Sequence, residues 1–172
     1  MIEKLWRHVR RNHALEHATI NLLSQRYPRS YVVGFSRPHG FTLYTALTAE
    51  EVIPAARDAL AALKGGAAQL AVHENCGTNL VVSAALTTLA TVAGMGYRQR
   101  RSFWGLVERL PQTVLLNAFA LLVAMPLARW IQAHWTTDPN VSDLEIASFF
   151  TDYQGGSRRI RVHTRQVAPQ QG

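Results

Sequence analysis

The chain has 172 residues, 48% of them hydrophobic and only 17% charged, with a net charge of +7. That length fits one compact domain, or a small domain plus a membrane element, and the charged share falls below the ~25% usual for soluble domains. A single cysteine, Cys76, excludes an internal disulfide framework. The basic balance points to contact with an acidic surface, either nucleic acid or anionic lipid headgroups.

The opening residues, "MIEKLWRHVRRNHALEH", lack an apolar h-region and a small-residue cleavage site, so no secretory signal is expected. Residues 3 to 26 place Leu5, Trp6, Val9, Ile20 and Leu23 at helical spacing. Tyr27-Pro28 ends that helix, because a residue before proline is pushed out of the α region. "YVVGFS" and "GFTLYTA" are rich in β-branched and aromatic residues and read as strands joined by the turn "RPHG". "TAEEVIPAARDALAALKGG" reads as a helix with a Thr48/Glu51 capping box and a Gly65-Gly66 stop. Pro54 sits awkwardly for a start that early and draws the expected first turn towards itself. "QLAVHEN" reads as a third strand, so the first helix is expected to pack over a sheet built from residues 31 to 46 and 69 to 74.

Two uncharged apolar runs follow: Cys76 to Tyr97, and Leu110 to Ala128. Each is near the ~20 residues a membrane-spanning helix needs. The basic link "RQRRSFWGLVER" carries Phe103 and Trp104, and "RWIQAHW" follows the second run; arginine and tryptophan there suit a membrane interface. The pattern predicts an antiparallel transmembrane hairpin with helices over 78 to 97 and 110 to 131. "LEIASFF" and "RRIRVHT" then read as two more strands around the turn "DYQGGS". The expected fold class is α+β: a small sheet with the N-terminal helix packed on it and an inserted helical hairpin. The expected domains are 1–75, an α+β domain with a metal site; 76–134, the hairpin; 135–166, a strand and turn segment that rejoins the α+β domain; and 167–172, a disordered tail.

The chemistry concentrates in two stretches. In "NHALEHATINLL", His13 and His17 lie four apart and share a helix face, so two imidazoles can pinch one Zn²⁺. Glu16 beside them could serve as base for a metal-activated water, the H-x-x-E-H pattern. The plain alternative is a solvated helix stripe. In "VHENCGTN", His73 and Cys76 stand three apart, and imidazole and thiolate are the ligands zinc prefers. Thr78 or Asn79 would cap the helix that follows, placing Cys76 by the positive end of its dipole. The plain alternative there is a small buried cysteine in a capping turn.

"HALEHATI", "GFSRPHGFTLY", "LAVHENCGTNLVVS" and "TTDP", in that order around an apolar hairpin, resemble an uncharacterised bacterial membrane-protein family, domain of unknown function 6391. The resemblance runs from about His13 to Asp138. The YqhQ-type family, also of unknown function, is similar in pairing H-x-x-E-H with H-P-R-C-G-T before a membrane helix. The resemblance implies one site formed by His13, Glu16, His17, His73, Cys76, Gly77 and Thr78. Glu74-Asn75 stand here where related sequences have Pro-Arg, which argues against Glu74 as a ligand.

The other candidates read more plainly: His39 as a turn residue, His163 as part of an exposed polar strand face, and His8 and His134 as interfacial surface. Asp138 should start a turn, or orient a histidine from behind. The arginines of "RHVRR" suit lipid headgroups, and no nucleic-acid motif is present, so no nucleic-acid partner is expected. The expected function is a zinc-dependent, metallopeptidase-like hydrolase at the membrane boundary: His13, His17, His73 and Cys76 as metal residues, Glu16 as base, and Zn²⁺ as cofactor. The non-enzymatic alternative is an assembly factor or complex subunit with a structural zinc. The expected partners are the lipid bilayer, and a membrane protein or a second copy of the chain. The expected location is the cytoplasmic membrane, with the water-exposed domain on the cytoplasmic side.

Overall fold

A computed structural model describes residues 2–96, 103–154 and 156–167. The chain divides into two compact units: Met1–His73 together with Gln132–Gly172, and Glu74–Ile131. The expected tail beyond residue 167 and the hairpin-loop arginines Arg98, Arg100 and Arg101 lie outside the described residues.

The first unit is α+β. Helix α1 spans Ile2–Arg26, and Ala14, Leu15, Ala18 and Leu23 are completely buried along it. Its last backbone bond runs from Tyr27 N–H to the Leu23 carbonyl, at 2.7 Å, immediately before Pro28. Strands β1 (Val32–Arg37) and β2 (Gly40–Thr45) pair antiparallel, with Gly34 opposite Leu43 and Ser36 opposite Phe41. Gly40 has a φ of 138°, and a Cβ there would run into the Val162 carbonyl, so only glycine fits.

Helix α2 spans Ala49–Lys64. The Glu51 carboxylate accepts from the Thr48 N–H at 2.7 Å, the reciprocal half of a capping box. The helix therefore starts at Ala49, not near Pro54. Proline is tolerated inside because it lies on the exposed face, where water can satisfy the carbonyl one turn back. Val52, Ala55, Ala56, Ala59 and Leu63 form the opposite, buried face. Strands β3 (Leu144–Gln154) and β4 (Ser157–Gln166) complete an antiparallel sheet of order β1-β2-β4-β3. Phe41, Leu43, Ile160 and Val162 occupy its buried face and join Leu15, Leu23, Val141 and Leu144 in one core.

The expected third strand at "QLAVHEN" does not form. Residues Ala68–Ala71 make a 3₁₀ turn instead, and the sheet is built from 32–45 and 144–166. The reason lies in where the backbone polar groups go. Asn21 on α1 donates its side-chain amide to the carbonyls of Leu70 (2.9 Å) and Val72 (3.0 Å). His17 meets the carbonyl of Ala71 at 2.8 Å. Helix side chains thus satisfy the acceptors that a neighbouring strand would have taken, and β4 occupies the free edge of β2.

The second unit holds α3 (Gly77–Met95), the short α4 (Phe103–Val107) and α5 (Leu110–Ile131). Two helical runs, Gly77–Met95 (19 residues) and Trp104–Thr136 (33 residues), are long and apolar enough to cross a membrane. α3 and α5 run antiparallel: Asn117 donates to the Thr91 hydroxyl at 3.0 Å, and Gly94 admits Thr113 so closely that a Cβ would clash. Arg109 donates to the Met95 carbonyl at 3.2 Å. Leu80, Val81, Leu115, Phe119 and Leu122 are exposed in this hairpin.

Candidate metal site

The site grows from α1. Successive turns of one face carry Trp6, Arg10, His13 and His17, since residues at i, i+4, i+7 and i+11 form a stripe. The rings of His13 and His17 stand 4.2 Å apart between centroids, at 61°. Each ring is turned by a backbone carbonyl: His13 Nδ1 meets the Thr136 oxygen at 2.9 Å, and His17 Nδ1 meets the Ala71 oxygen at 2.8 Å. A carbonyl only accepts, so each Nδ1 carries a proton towards its carbonyl, and Nε2 is the nitrogen through which either ring could ligate a metal. That is the arrangement of metal-ligating histidines, whose distal nitrogen is fixed by a second partner. The two residues offer ring nitrogens within 4.8 Å of one another, a small closure short of the about 3.3 Å that separates two imidazole ligands on tetrahedral zinc. His17 is only 2% exposed, so its environment is the protein interior.

His73 belongs to the same unit. Its ring centroid lies 5.9 Å from that of His17, at 44°, and its backbone N–H donates to Gln132 Oε1 at 3.0 Å. Gln132 is completely buried, and its carbonyl accepts the Thr137 hydroxyl at 2.8 Å, so the segment carrying Thr136 and the segment carrying His73 share one anchor.

Glu16 is 4% exposed. Its carboxylate accepts a short hydrogen bond from the Ser36 hydroxyl on β1 and occupies the space above Gly34, where a Cβ would overlap it. Burial pushes the Glu16 carboxyl above the usual carboxylate range, while the Ser36 hydrogen bond and the nearby His13 pull it partly back. The carboxylate therefore lies against the sheet rather than out on the helix surface.

Cys76 lies in the second unit, where it caps α3. Its backbone is extended (φ −75°, ψ 146°), and its Sγ accepts from the Thr78 N–H at 3.4 Å. The cap is therefore Cys76 itself, not Thr78 or Asn79: both lie inside the helix, and the Asn79 side-chain amide folds back onto the Glu74 carbonyl. Glu74 pairs with Arg129 at 2.5 Å in an exposed position.

The remaining histidines go elsewhere. His39 sits in the β1–β2 turn, its carbonyl accepting from Thr164 N–H at 3.0 Å. His163 pairs opposite Gly40 and Ser148, on the sheet face away from the core, with Phe150 edge-on at 5.2 Å. His8 is half-buried and His134 exposed. Asp138 orients an arginine rather than a histidine. Arg11 reaches Asp138 at 3.4 Å and grips both oxygens of Asp143 at 2.8 and 2.9 Å. Asp138 also accepts from Asn140 N–H at 3.1 Å, which makes the expected turn.

Sequence reasoning missed Gly34, Ser36, Asn21 and Gln132, and it gave Arg11 to lipid headgroups, whereas Arg11 is buried against Asp138 and Asp143. One signal was present. The alternate positions of β1 that face the core read Val32, Gly34, Ser36, and a small and a polar residue there leave room for a partner above the strand.

An antiparallel sheet, a helix carrying a clamped histidine pair over it, and a long apolar helical hairpin inserted in sequence define a small two-unit α+β protein with a candidate metal centre. The chain belongs to the family described as domain of unknown function 6391, which matches residues 8–149. It is 32% identical over 143 residues to an uncharacterized protein of Picosynechococcus sp., an alignment covering 75% of this chain and 65% of that relative. The chain thus spans just under two thirds of that relative's length. No solved structure matches it.

Proposed function

We propose that this protein is a membrane-anchored, zinc-dependent hydrolase whose site lies at the membrane boundary. The observation that carries the reading is the pair of backbone carbonyls, of Thr136 and Ala71, that fix Nδ1 of His13 and His17 and so orient two neighbouring imidazoles as metal-ligating histidines are oriented. His13 and His17 are the core of the ligand set. One or both of His73 and Cys76 complete it: Cys76, three residues further along the chain and so within ~11 Å of backbone, supplies the thiolate, and hydrolysis requires a set of three, since a fourth protein ligand would close the position that water needs. The YqhQ-type resemblance, with its H-x-x-C-G-T stretch, supports the same set. Zinc held there supplies Lewis acidity that brings the pKa of a water molecule towards ~7. Glu16 would be the base for that water's proton, its carboxyl raised above the usual carboxylate range by burial. The substrate class that fits a membrane boundary is a peptide or lipid ester. The two long apolar helices are the anchor, crossing the cytoplasmic membrane and leaving the α+β unit on the cytoplasmic side.

A second reading has its own observation. Glu16 is engaged by Ser36 and lies against β1. A metal here would then be a staple tying α1 to the segments around Ala71 and Thr136, in an assembly factor or complex subunit.

One experiment tests both. The full chain, purified in detergent, is assayed for metal by mass spectrometry and for turnover on fluorogenic peptide and lipid esters. The hydrolase reading expects stoichiometric zinc, its loss in His17→Ala, and retained zinc with abolished turnover in Glu16→Gln. Cobalt substitution should give a thiolate charge-transfer band that Cys76→Ser removes. The staple reading expects Glu16→Gln to be silent while His17→Ala and Cys76→Ser lower stability. Absence of metal from the wild type, or loss of metal in Glu16→Gln, overturns the hydrolase.

A further inference from the structure

The first turns of α1 project beyond the core of their unit. Leu5 is 50% exposed and Trp6 57%, and Lys4 and Arg7 flank them, also exposed. One turn on, Arg10 donates to the carbonyls of His134 and Thr137, both at 2.9 Å, and its own carbonyl accepts from Asp138 N–H at 3.1 Å. Trp6 lies four residues before Arg10 on the same helix face, and Arg10 holds the backbone on either side of Trp135. Trp135 is 64% exposed. The 33-residue apolar helical run ends within this segment, at Thr136.

We propose that Leu5, Trp6 and Trp135, ringed by Lys4 and Arg7, form a surface that seats on the headgroup layer of an anionic lipid bilayer. Three features select that occupant. Tryptophan is the side chain most suited to the headgroup level, apolar in body and polar at one edge. Lysine and arginine beside it match phosphate charge. The patch also adjoins the residue where an apolar run leaves off, so a bilayer around that run comes up against it by chain continuity. This rests on the hairpin spanning the membrane, but not on the metal. Its consequence for the site is positional. His13 and His17 follow Trp6 by seven and eleven residues on one stripe, so about 10 to 17 Å of helix separates the lipid contact from the histidine pair. A substrate entering from the headgroup region needs only that reach.

The test is hydroxyl-radical footprinting of the full chain, read residue by residue by mass spectrometry. It compares nanodiscs of phosphatidylcholine with nanodiscs also containing phosphatidylglycerol. Tyr31, 82% exposed and at the other end of α1, is the internal control. Trp6 and Trp135 should lose several-fold of their reactivity in the anionic discs while Tyr31 keeps its own. High salt or Lys4→Glu with Arg7→Glu should restore it, because the anionic contribution is screened or reversed. Reactivity of Trp6 that does not differ between the two disc types overturns the proposal. So does protection that appears in detergent and grows with protein concentration, which would mean that a second copy covers the patch. Neither failure touches the zinc reading, since the footprint needs no metal. A chain that never incorporates into discs fails on the hairpin, and the surface proposal falls with it.

Discussion

Gly34→Ala is the most discriminating single change in the site. In a strand, alanine in place of glycine is ordinarily stabilising by ~0.5–1 kcal/mol, because the unfolded chain loses freedom. Here the sign should reverse. A Cβ on Gly34 would overlap three atoms of the Glu16 side chain, its Cγ, Cδ and Oε1. An exposed glutamate would swing into water at little cost, but Glu16 is buried and bonded to Ser36. Overpacking a filled interior costs ~1–3 kcal/mol, and displacing a buried carboxylate from its donor costs a similar amount. The net expectation is a loss of about 2–4 kcal/mol, or roughly 5–15 °C in Tm for a chain of this size. The assay is thermal and urea unfolding of the wild type, Gly34→Ala, Glu16→Ala and the double variant. In the Glu16→Ala background the obstacle is gone, so adding Gly34→Ala should be neutral or mildly stabilising. Equal stability of Gly34→Ala and wild type refutes the packing argument. The same loss in both backgrounds shows that something other than Glu16 fills the space.

Two further outcomes follow from other parts of the chain. Arg11→Met should cost about 2–3 kcal/mol in urea unfolding, because it strands the partly buried carboxylates of Asp138 and Asp143 without their partner; adding Asp143→Asn should recover part of that. Asn117→Leu should weaken association of α3 with α5 by ~1 kcal/mol, since it removes the bond to Thr91 in an apolar setting, a change measurable by steric trapping of the hairpin in bicelles.

Much of this molecule was legible along the chain because its signals are local. The spacing of apolar residues from 3 to 26 foretold α1, and the Pro28 stop set its end. The β-branched and aromatic residues of "YVVGFS" and "GFTLYTA" around the "RPHG" turn foretold the first hairpin, and the two uncharged runs foretold the long helices. The facing of His13 and His17 is a property of any helix carrying residues four apart. Tertiary structure decided the rest. "QLAVHEN" has the apolar character of a buried strand, yet the acceptors at Leu70, Ala71 and Val72 are met by Asn21 and His17, side chains some fifty residues earlier. Nothing in a run of seven residues says whether its carbonyls will find a strand or a helix side chain. The same holds for the ring orientations: His13 is turned by Thr136, 123 residues away. Which nitrogen of a histidine keeps its lone pair depends on what the other nitrogen touches, and that contact exists only once the chain has closed on itself.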